Sequence, residues 1–246
     1  DAMGGYNDCD DVIITQNKLV VLNEGFEVIE EKWFEPGDKH CMYMGIEDIR
    51  LFDTKDDKVL FIGTECRDDG FLGISSGQYN RSNKLESLYL TIENMKNRCE
   101  KNWVMANVKE LEGIGIIYKW YPVALFSLVE SNPLLRFVRK IEKMPGIFKY
   151  ARGSTNGYLY KNELWFIVHM VSYENPRHYY NMVAVFDDKM TYLKWYSCPF
   201  KFSLAPIEYC LGLIVENDKI IVSYSTNDSA SMISIVELKN MEINKY

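Results

Sequence analysis

Residues 207–238 read IEYCLGLIVENDKIIVSYSTNDSASMISIVEL. Two or three apolar runs rich in Ile, Val and Tyr are joined by short polar turns. Such residues suit a pleated, half-buried surface, and the Asn-Asp pairs between them suit tight turns. The rhythm repeats outward through the chain. Strand signals recur at 12–15, 19–22, 26–29, 42–52, 59–64 and 88–92, then at 103–105, 114–120, 124–129, 134–138, 164–172, 180–186, 192–197, 209–215, 220–225 and 232–238. Asp56-Asp57, Glu112-Gly113 and Asp187-Asp188 are typical of the punctuation between them. Helical periodicity is weak, and only 85–98 competes, although Tyr89 and Thr91 fit a strand equally well.

An all-β chain with about sixteen short strands must hide many sheet edges. Radial repetition does so, with four strands to a blade and roughly 45–50 residues to a repeat. The expectation is a five-bladed β-propeller forming one domain over residues 1–246, its N-terminal blade incomplete. No sequence signature marks the blade boundaries.

Composition narrows the function classes. The 246 residues are 47% hydrophobic and 14% aromatic, enough for a full core. A net charge of -7 argues against a nucleic-acid surface, and the densest basic run, 136–143, reads as a solvated face. No apolar run approaches the roughly 18 residues needed to cross a bilayer, so no membrane is expected. The chain opens Asp-Ala-Met with no secretory leader, which reads as a trimmed start. Six scattered cysteines without a C-x-x-C pair favour reduced, mostly buried thiols in a cytoplasmic protein, with neither structural metal nor cofactor. An Asn-, Lys-, Ile- and Tyr-rich chain also fits an AT-rich genome such as that of a large DNA virus.

Chemistry-bearing residues concentrate in a few strands. Gly45-Ile46-Glu47-Asp48-Ile49-Arg50 sets two carboxylates and a guanidinium within four positions. Alternation along a strand would part Glu47 from Asp48 and put Arg50 on the side of Asp48. An adjacent arginine keeps a carboxylate ionised, but on the triplet alone a structural ion pair is the simpler reading. His169 lies on the apolar strand 164–172, where a satisfied core histidine and a functional one are about equally expected. His40 and His178 sit among polar residues and read as solvent-exposed. Aromatics near these segments can stack on sugar rings or fill a core. Trp103, Trp120, Tyr121, Trp165, Tyr173, Tyr179 and Tyr180 are these aromatics, and Tyr179 and Tyr180, after the loop Pro176-Arg177-His178, are expected to be the accessible ones.

The segments, taken in order, resemble glycoside hydrolase family 130, the β-mannoside phosphorylases and hydrolases. Gly45 to Arg50 resembles the family's G-x-E-D-P-R, with Ile49 in place of proline. Glu100-Lys101-Asn102-Trp103 resembles its K-D segment, with Asn102 replacing the aspartate. Tyr118-Lys119-Trp120-Tyr121-Pro122 stands at its H-R-P, and the strand ending in His169 at its G-W-L-x-x-Y-H. The segments from Ile207 and from Ser223 resemble its closing Y-E-x-x-G and Y-Y-G-A-A-D. Arg152-Gly153-Ser154-Thr155 brings the chain nearer to uncharacterised propellers found beside glycosyltransferases.

The resemblance implies a carbohydrate ligand in one central pocket and a reaction at a glycosidic bond. Asp48 would be the general acid, and Lys101, Lys119 and His169 would hold inorganic phosphate. In a hydrolase, Glu100, Glu208 or Asp228 would activate water instead. Glu47, Arg50 and Arg152 would line or buttress the pocket. Loss of the K-D aspartate and of the arginine at Lys119 weakens the phosphate reading, since lysine cannot grip phosphate with two parallel donors. The alternative is a non-catalytic sugar-binding propeller partnering a glycosyltransferase.

Overall fold

The structure is a computed structural model and describes residues 13–35, 43–80, 82, 84–129 and 132–246. His40, Cys9 and Cys41 lie outside the described residues. The described residues divide into two compact units, 13–101 and 102–246.

The first unit begins with strands β1 (Ile13–Ile14), β2 (Lys18–Leu22), β3 (Val28–Trp33) and β4 (Tyr43–Met44). β1 pairs with β4 in parallel, and β2 with β3 as a hairpin. An antiparallel sheet of β5 (Ile46–Asp53), β6 (Val59–Cys66), β7 (Leu72–Gln78) and β8 (Leu88–Tyr89) follows, and the short β9 (Thr91–Ile92) comes next. β7 carries little strand signal because it reads LGISSGQ. Its small residues are required by its neighbours: a Cβ on Gly77 would lie 2.0 Å from the Glu86 carbonyl oxygen and 2.8 Å from the Phe61 ring. Segment 85–98 is not helical.

The second unit holds three sheets. The first contains β10 (Val104–Ala106), β11 (Ile114–Trp120), β12 (Val123–Leu128) and β13 (Leu134–Ile141) in an antiparallel meander. The next is formed by β14 (Arg152–Gly153), β15 (Tyr158–Tyr160), β16 (Glu163–Ser172), β17 (His178–Asp187), β18 (Leu193–Ser197) and, from the chain end, β22 (Ile243–Lys245). The last comprises β19 (Glu208–Glu216), β20 (Lys219–Thr226) and β21 (Ala230–Glu237), the three runs of 207–238.

The fold is almost all-β, a β-propeller-like arrangement of four blades. Among the described residues four blades are seen where five were expected, and at the N-terminal end, where an incomplete blade was expected, residues 13–35 supply a hairpin and half of a two-residue pair. Among the described residues there is no α-helix, and none that is long and apolar enough to cross a membrane.

β16 shows how the second unit is packed. Leu164, Phe166, Val168 and Met170 face a core shared with the β10–β13 sheet. Trp165 and Ile167, on the other face, join Cys210, Val222 and Tyr224 of the next sheet. This period of two is the strand's own geometry, and burial on both faces explains its unbroken apolar run. His169 continues the second series.

Of the cysteines, Cys99, Cys198 and Cys210 are free thiols, as expected, while Cys66 is disulfide-bonded. The cysteines therefore carry no argument about compartment. Cys99 is also exposed rather than buried. Burial pushes the Cys210 thiol up, and the neighbouring Glu208 carboxylate adds to the effect.

Candidate functional site

Asp48 sits at a break in the β5–β6 ladder. Glu47 pairs with Thr64 and Arg50 with Ile62, leaving Asp48 and Ile49 opposite Gly63 alone. Two residues against one is a β-bulge, which re-aims a side chain and defeats simple alternation. The side-sharing of Asp48 and Arg50 expected from the sequence therefore does not apply. Asp48 adopts φ 56°, a left-handed backbone that few residues other than glycine, Asn and Asp accept. Gly63 makes room for the bulge, since a Cβ there would lie 2.4 Å from Ile46 Cγ2 and 2.9 Å from the Glu47 carbonyl oxygen.

Arg50 fixes this backbone. Its side chain is 1% exposed, and Nη1 donates to the Asp48 carbonyl oxygen at 2.8 Å. Lys101 Nζ donates to Glu47 Oε2, also at 2.8 Å. Glu100 is buried and accepts from the Asn97 amide. Thr64 Oγ1, across the ladder from Glu47, is buried without a hydrogen-bond partner among the described residues. The sequence held no signal for Thr64, which reads as one more β-branched strand residue.

In the second unit a different set gathers around His169, which is 2% exposed. Ser154 Oγ and His169 Nδ1 share a hydrogen bond at 2.8 Å. The imidazole stacks on Tyr179 with centroids 5.4 Å apart and 15° between planes, and meets the edge of Tyr209 at 5.1 Å. The Tyr209 hydroxyl donates to Asn102 Oδ1 at 2.7 Å. Arg152 is the ladder partner of His169, and its Nη2 donates to the Tyr173 hydroxyl at 2.8 Å. The Arg177 guanidinium lies 5.3 Å from the Tyr179 ring centre, and its Nε is buried with no hydrogen-bond partner among the described residues.

Burial raises the Tyr179 phenol above its ordinary value. Arg177 and Arg152 oppose that shift, while Asp228 and Tyr173 add to it. These groups therefore share one electrostatic neighbourhood, with two guanidiniums near the single carboxylate of Asp228. Arg177 and Ser154 were not among the sequence candidates, whereas Tyr173 was one of the aromatics named. Arg177 is one residue from two that were noted, but nothing in its local pattern separates it from a solvated loop arginine.

Other expected residues take different places. Trp103 is 1% exposed and packs edge-on against Tyr118 at 5.1 Å, so it is a core ring with no face for a sugar. Tyr180 also packs on the core, and His178 is half-buried rather than exposed. Lys119 is exposed at a bulge in β11, with its Nζ 5.1 Å from the Tyr118 ring centre.

Glu208 is fully buried and occupied. Oε2 accepts from Phe202 N at 2.8 Å and Asn181 Nδ2 at 3.4 Å. Oε1 accepts from Ser203 N and Ser203 Oγ, both at 2.6 Å. Its carboxylate thus ties down the loop before β19, and that loop reaches the aromatic cluster through Tyr179 N donating to the Pro206 carbonyl oxygen at 2.8 Å. Among the described residues no group of three or more His, Cys, Asp and Glu could hold a metal ion.

The sequence matches no known protein family and no curated protein. Solved structures share the fold. A putative glycoside hydrolase from Bacteroides ovatus superposes with a TM-score of 0.58 at 12% identity, over 78% of this chain and 68% of that one. A β-1,2-mannobiose phosphorylase from Listeria innocua gives 0.56 at 14% identity, over 87% and 64%. A GDP-Man-dependent mannosyltransferase from Leishmania mexicana gives 0.51 at 14% identity, over 84% and 75%. The chain thus spans about two thirds of the length of such proteins.

Proposed function

We propose that this protein acts on a glycosidic bond, with Asp48 as the general acid. The observation that carries the reading is the left-handed backbone of Asp48 on a bulge braced by the buried Arg50. Strained, over-determined backbone of this kind clusters at active sites. The fold shared with glycoside hydrolases and a mannobiose phosphorylase supports a carbohydrate substrate.

In this reading the bond from the anomeric carbon to the glycosidic oxygen breaks, and that oxygen takes the proton of Asp48. A phosphate oxygen or a water oxygen forms the new bond to the anomeric carbon. Within the unit 102–246, Arg152, Arg177 and His169 are cationic and donor groups of the kind an anionic ligand requires. Lys101, paired with Glu47, is the less available grip for phosphate. If water is the nucleophile, a carboxylate must take its proton, and Asp228 is the sequence candidate whose oxygens are not tied up as those of Glu208 are. Glu208 has both oxygens engaged by the loop 202–203, so it is a positioning residue rather than a base.

Phosphorolysis and hydrolysis separate on one experiment: labelled inorganic phosphate either enters a sugar 1-phosphate or it does not. Asp48→Asn tests the acid, because asparagine tolerates the same left-handed backbone and cannot supply the proton. Turnover should fall by roughly 10²–10⁴-fold with sugar affinity and melting temperature unchanged. Full turnover in this variant would remove Asp48 from the mechanism.

A second reading, a sugar-binding module without turnover, is favoured by the neutral Asn102 at the K-D position and by the engaged state of Glu208. It predicts that no glycoside is cleaved and that affinity depends on Tyr179.

A further inference from the structure

Two exposed stretches carry opposite, unanswered charge. Residues 18–35 hold Glu24, Glu27, Glu30, Glu31 and Glu35 against Lys18 and Lys32. They form the β2–β3 hairpin, a ribbon of two strands only. Phe26, Val28, Ile29 and Trp33 are exposed on it, Ile29 to 65%. An isolated two-stranded ribbon is marginal in water, and exposed apolar side chains on it are groups left without a cover. Glu31 is paired with Lys18 at 2.7 Å, whereas Glu24 and Glu30 make no ion pair among the described residues.

β13 and the residue pair after it read LLRFVRKIEK and bear Arg136, Arg139, Lys140 and Lys143 against Glu142 alone. None of these four cations makes an ion pair or side-chain hydrogen bond among the described residues. Elsewhere in this acidic chain lysines do find carboxylates, as Lys101 and Lys109 do. Leu134 and Phe137 are exposed beside them, Phe137 to 57% with its ring edge-on to Phe126.

We infer that the acidic hairpin β2–β3 of one copy docks on the basic strand β13 of a second copy. The match is twofold. On β3 the ladder with β2 skips Ile29, which puts Glu30 and Lys32 on one face and Val28, Glu31 and Trp33 on the other. On β13 the bulge at Val138 puts Leu134, Arg136 and Arg139 on one face and Phe137 on the other. On each stretch apolar anchors and a charge share one face, Glu31 with Val28 and Trp33, Arg136 and Arg139 with Leu134, and the charges are opposite. The two patches differ, so the contact is head-to-tail, and copies join either into a ring or into an open chain. Opposed charges at such a surface set register and encounter rate and are weakened by salt.

The test is the molar mass of the protein by light scattering and sedimentation over a wide concentration range, at low and high salt. At low salt the mass should rise above the monomer with concentration, and at high salt it should return to the monomer. The charge reversals E24K/E30K and R136E/R139E, checked for unchanged circular dichroism, should each be monomeric at low salt. An equal mixture of the two should regain the assembled mass, because the reversed hairpin of one meets the reversed strand of the other. A wild-type protein that stays monomeric throughout overturns the proposal. So does assembly that survives both reversals, or a mixture that remains monomeric. Binding of wild type but not R136E/R139E to vesicles of anionic phospholipid, with wild type monomeric, would reassign the basic strand to a lipid surface.

Discussion

Replacing Glu208 by glutamine separates an anchor from a catalytic base. The carboxylate is fully buried and accepts four hydrogen bonds. In Glu208→Gln the amide oxygen can keep the two from Ser203. The amide NH₂ then faces Phe202 N–H and the Asn181 NH₂, donor against donor. A buried donor left without an acceptor costs about 1–3 kcal/mol, so the loss is roughly 2–4 kcal/mol, less whatever is regained by no longer burying a charge. At about 2–4 °C per kcal/mol for a chain of this size, the melting temperature should fall by on the order of 10 °C. The loop 202–206 should also loosen, with faster cleavage at the exposed Leu204 by a protease that cuts beside leucine. Its link to Tyr179 through Pro206 means that sugar affinity should weaken with it. A variant with unchanged melting and proteolysis but no turnover would refute the anchor and return Glu208 to chemistry.

Gly63→Ala should cost about 1–3 kcal/mol, because the Glu47 carbonyl oxygen at 2.9 Å cannot move aside without closing the bulge; urea unfolding measures the loss, and turnover should fall with it. Lys101→Ala should cost less than about 1 kcal/mol in the same assay, since its pair with Glu47 is partly solvated. Burial holds the Tyr179 phenol up in the folded chain, so the folded state retains a proton that the unfolded state has lost. Stability from this group is complete below the ordinary tyrosine range and declines as pH rises from there toward the elevated folded value. Tyr179→Phe should flatten that alkaline decline, and Arg152→Ala should raise the phenol further, both read from ultraviolet titration and melting against pH.

The all-β character was legible because nearly every strand carries Val, Ile, Tyr or Phe between polar turns. β7 escaped for a physical reason. LGISSGQ lies between two strands whose side chains and backbone leave space for hydrogen and little more, so close approach selected the composition and erased the strand signal. Among the described residues the blade count stops at four, for the converse reason. Segments 12–15, 19–22 and 26–29 read as strands, yet they yield a hairpin and half of a two-residue pair, because propensity says what a segment can pair as and not with how many neighbours.

The candidate site was legible in residue type more than in geometry. His169 was placed on the correct strand, and alternation alone puts it on the face shared with Cys210 and Val222. Its stacking on Tyr179 joins ladder neighbours, since Val171 pairs with Tyr179 two positions along. At Asp48 the same rule misleads. A period of two assumes one residue opposite one, and a single extra residue reverses every inference made across it. Nothing in Glu47-Asp48-Ile49-Arg50 announces the bulge, since its enabling residue is Gly63, on the partner strand 15 positions after Asp48. A glycine in the middle of an otherwise apolar strand, Leu60-Phe61-Ile62-Gly63-Thr64, is the available signal. Read that way, Gly63 and Asp48 form one device: the glycine gives space, the aspartate accepts the left-handed turn, and Arg50 holds the carbonyl that results. If the device exists to aim Asp48, then Gly63→Ala and Asp48→Asn should part company, the first losing stability and activity together and the second losing activity alone.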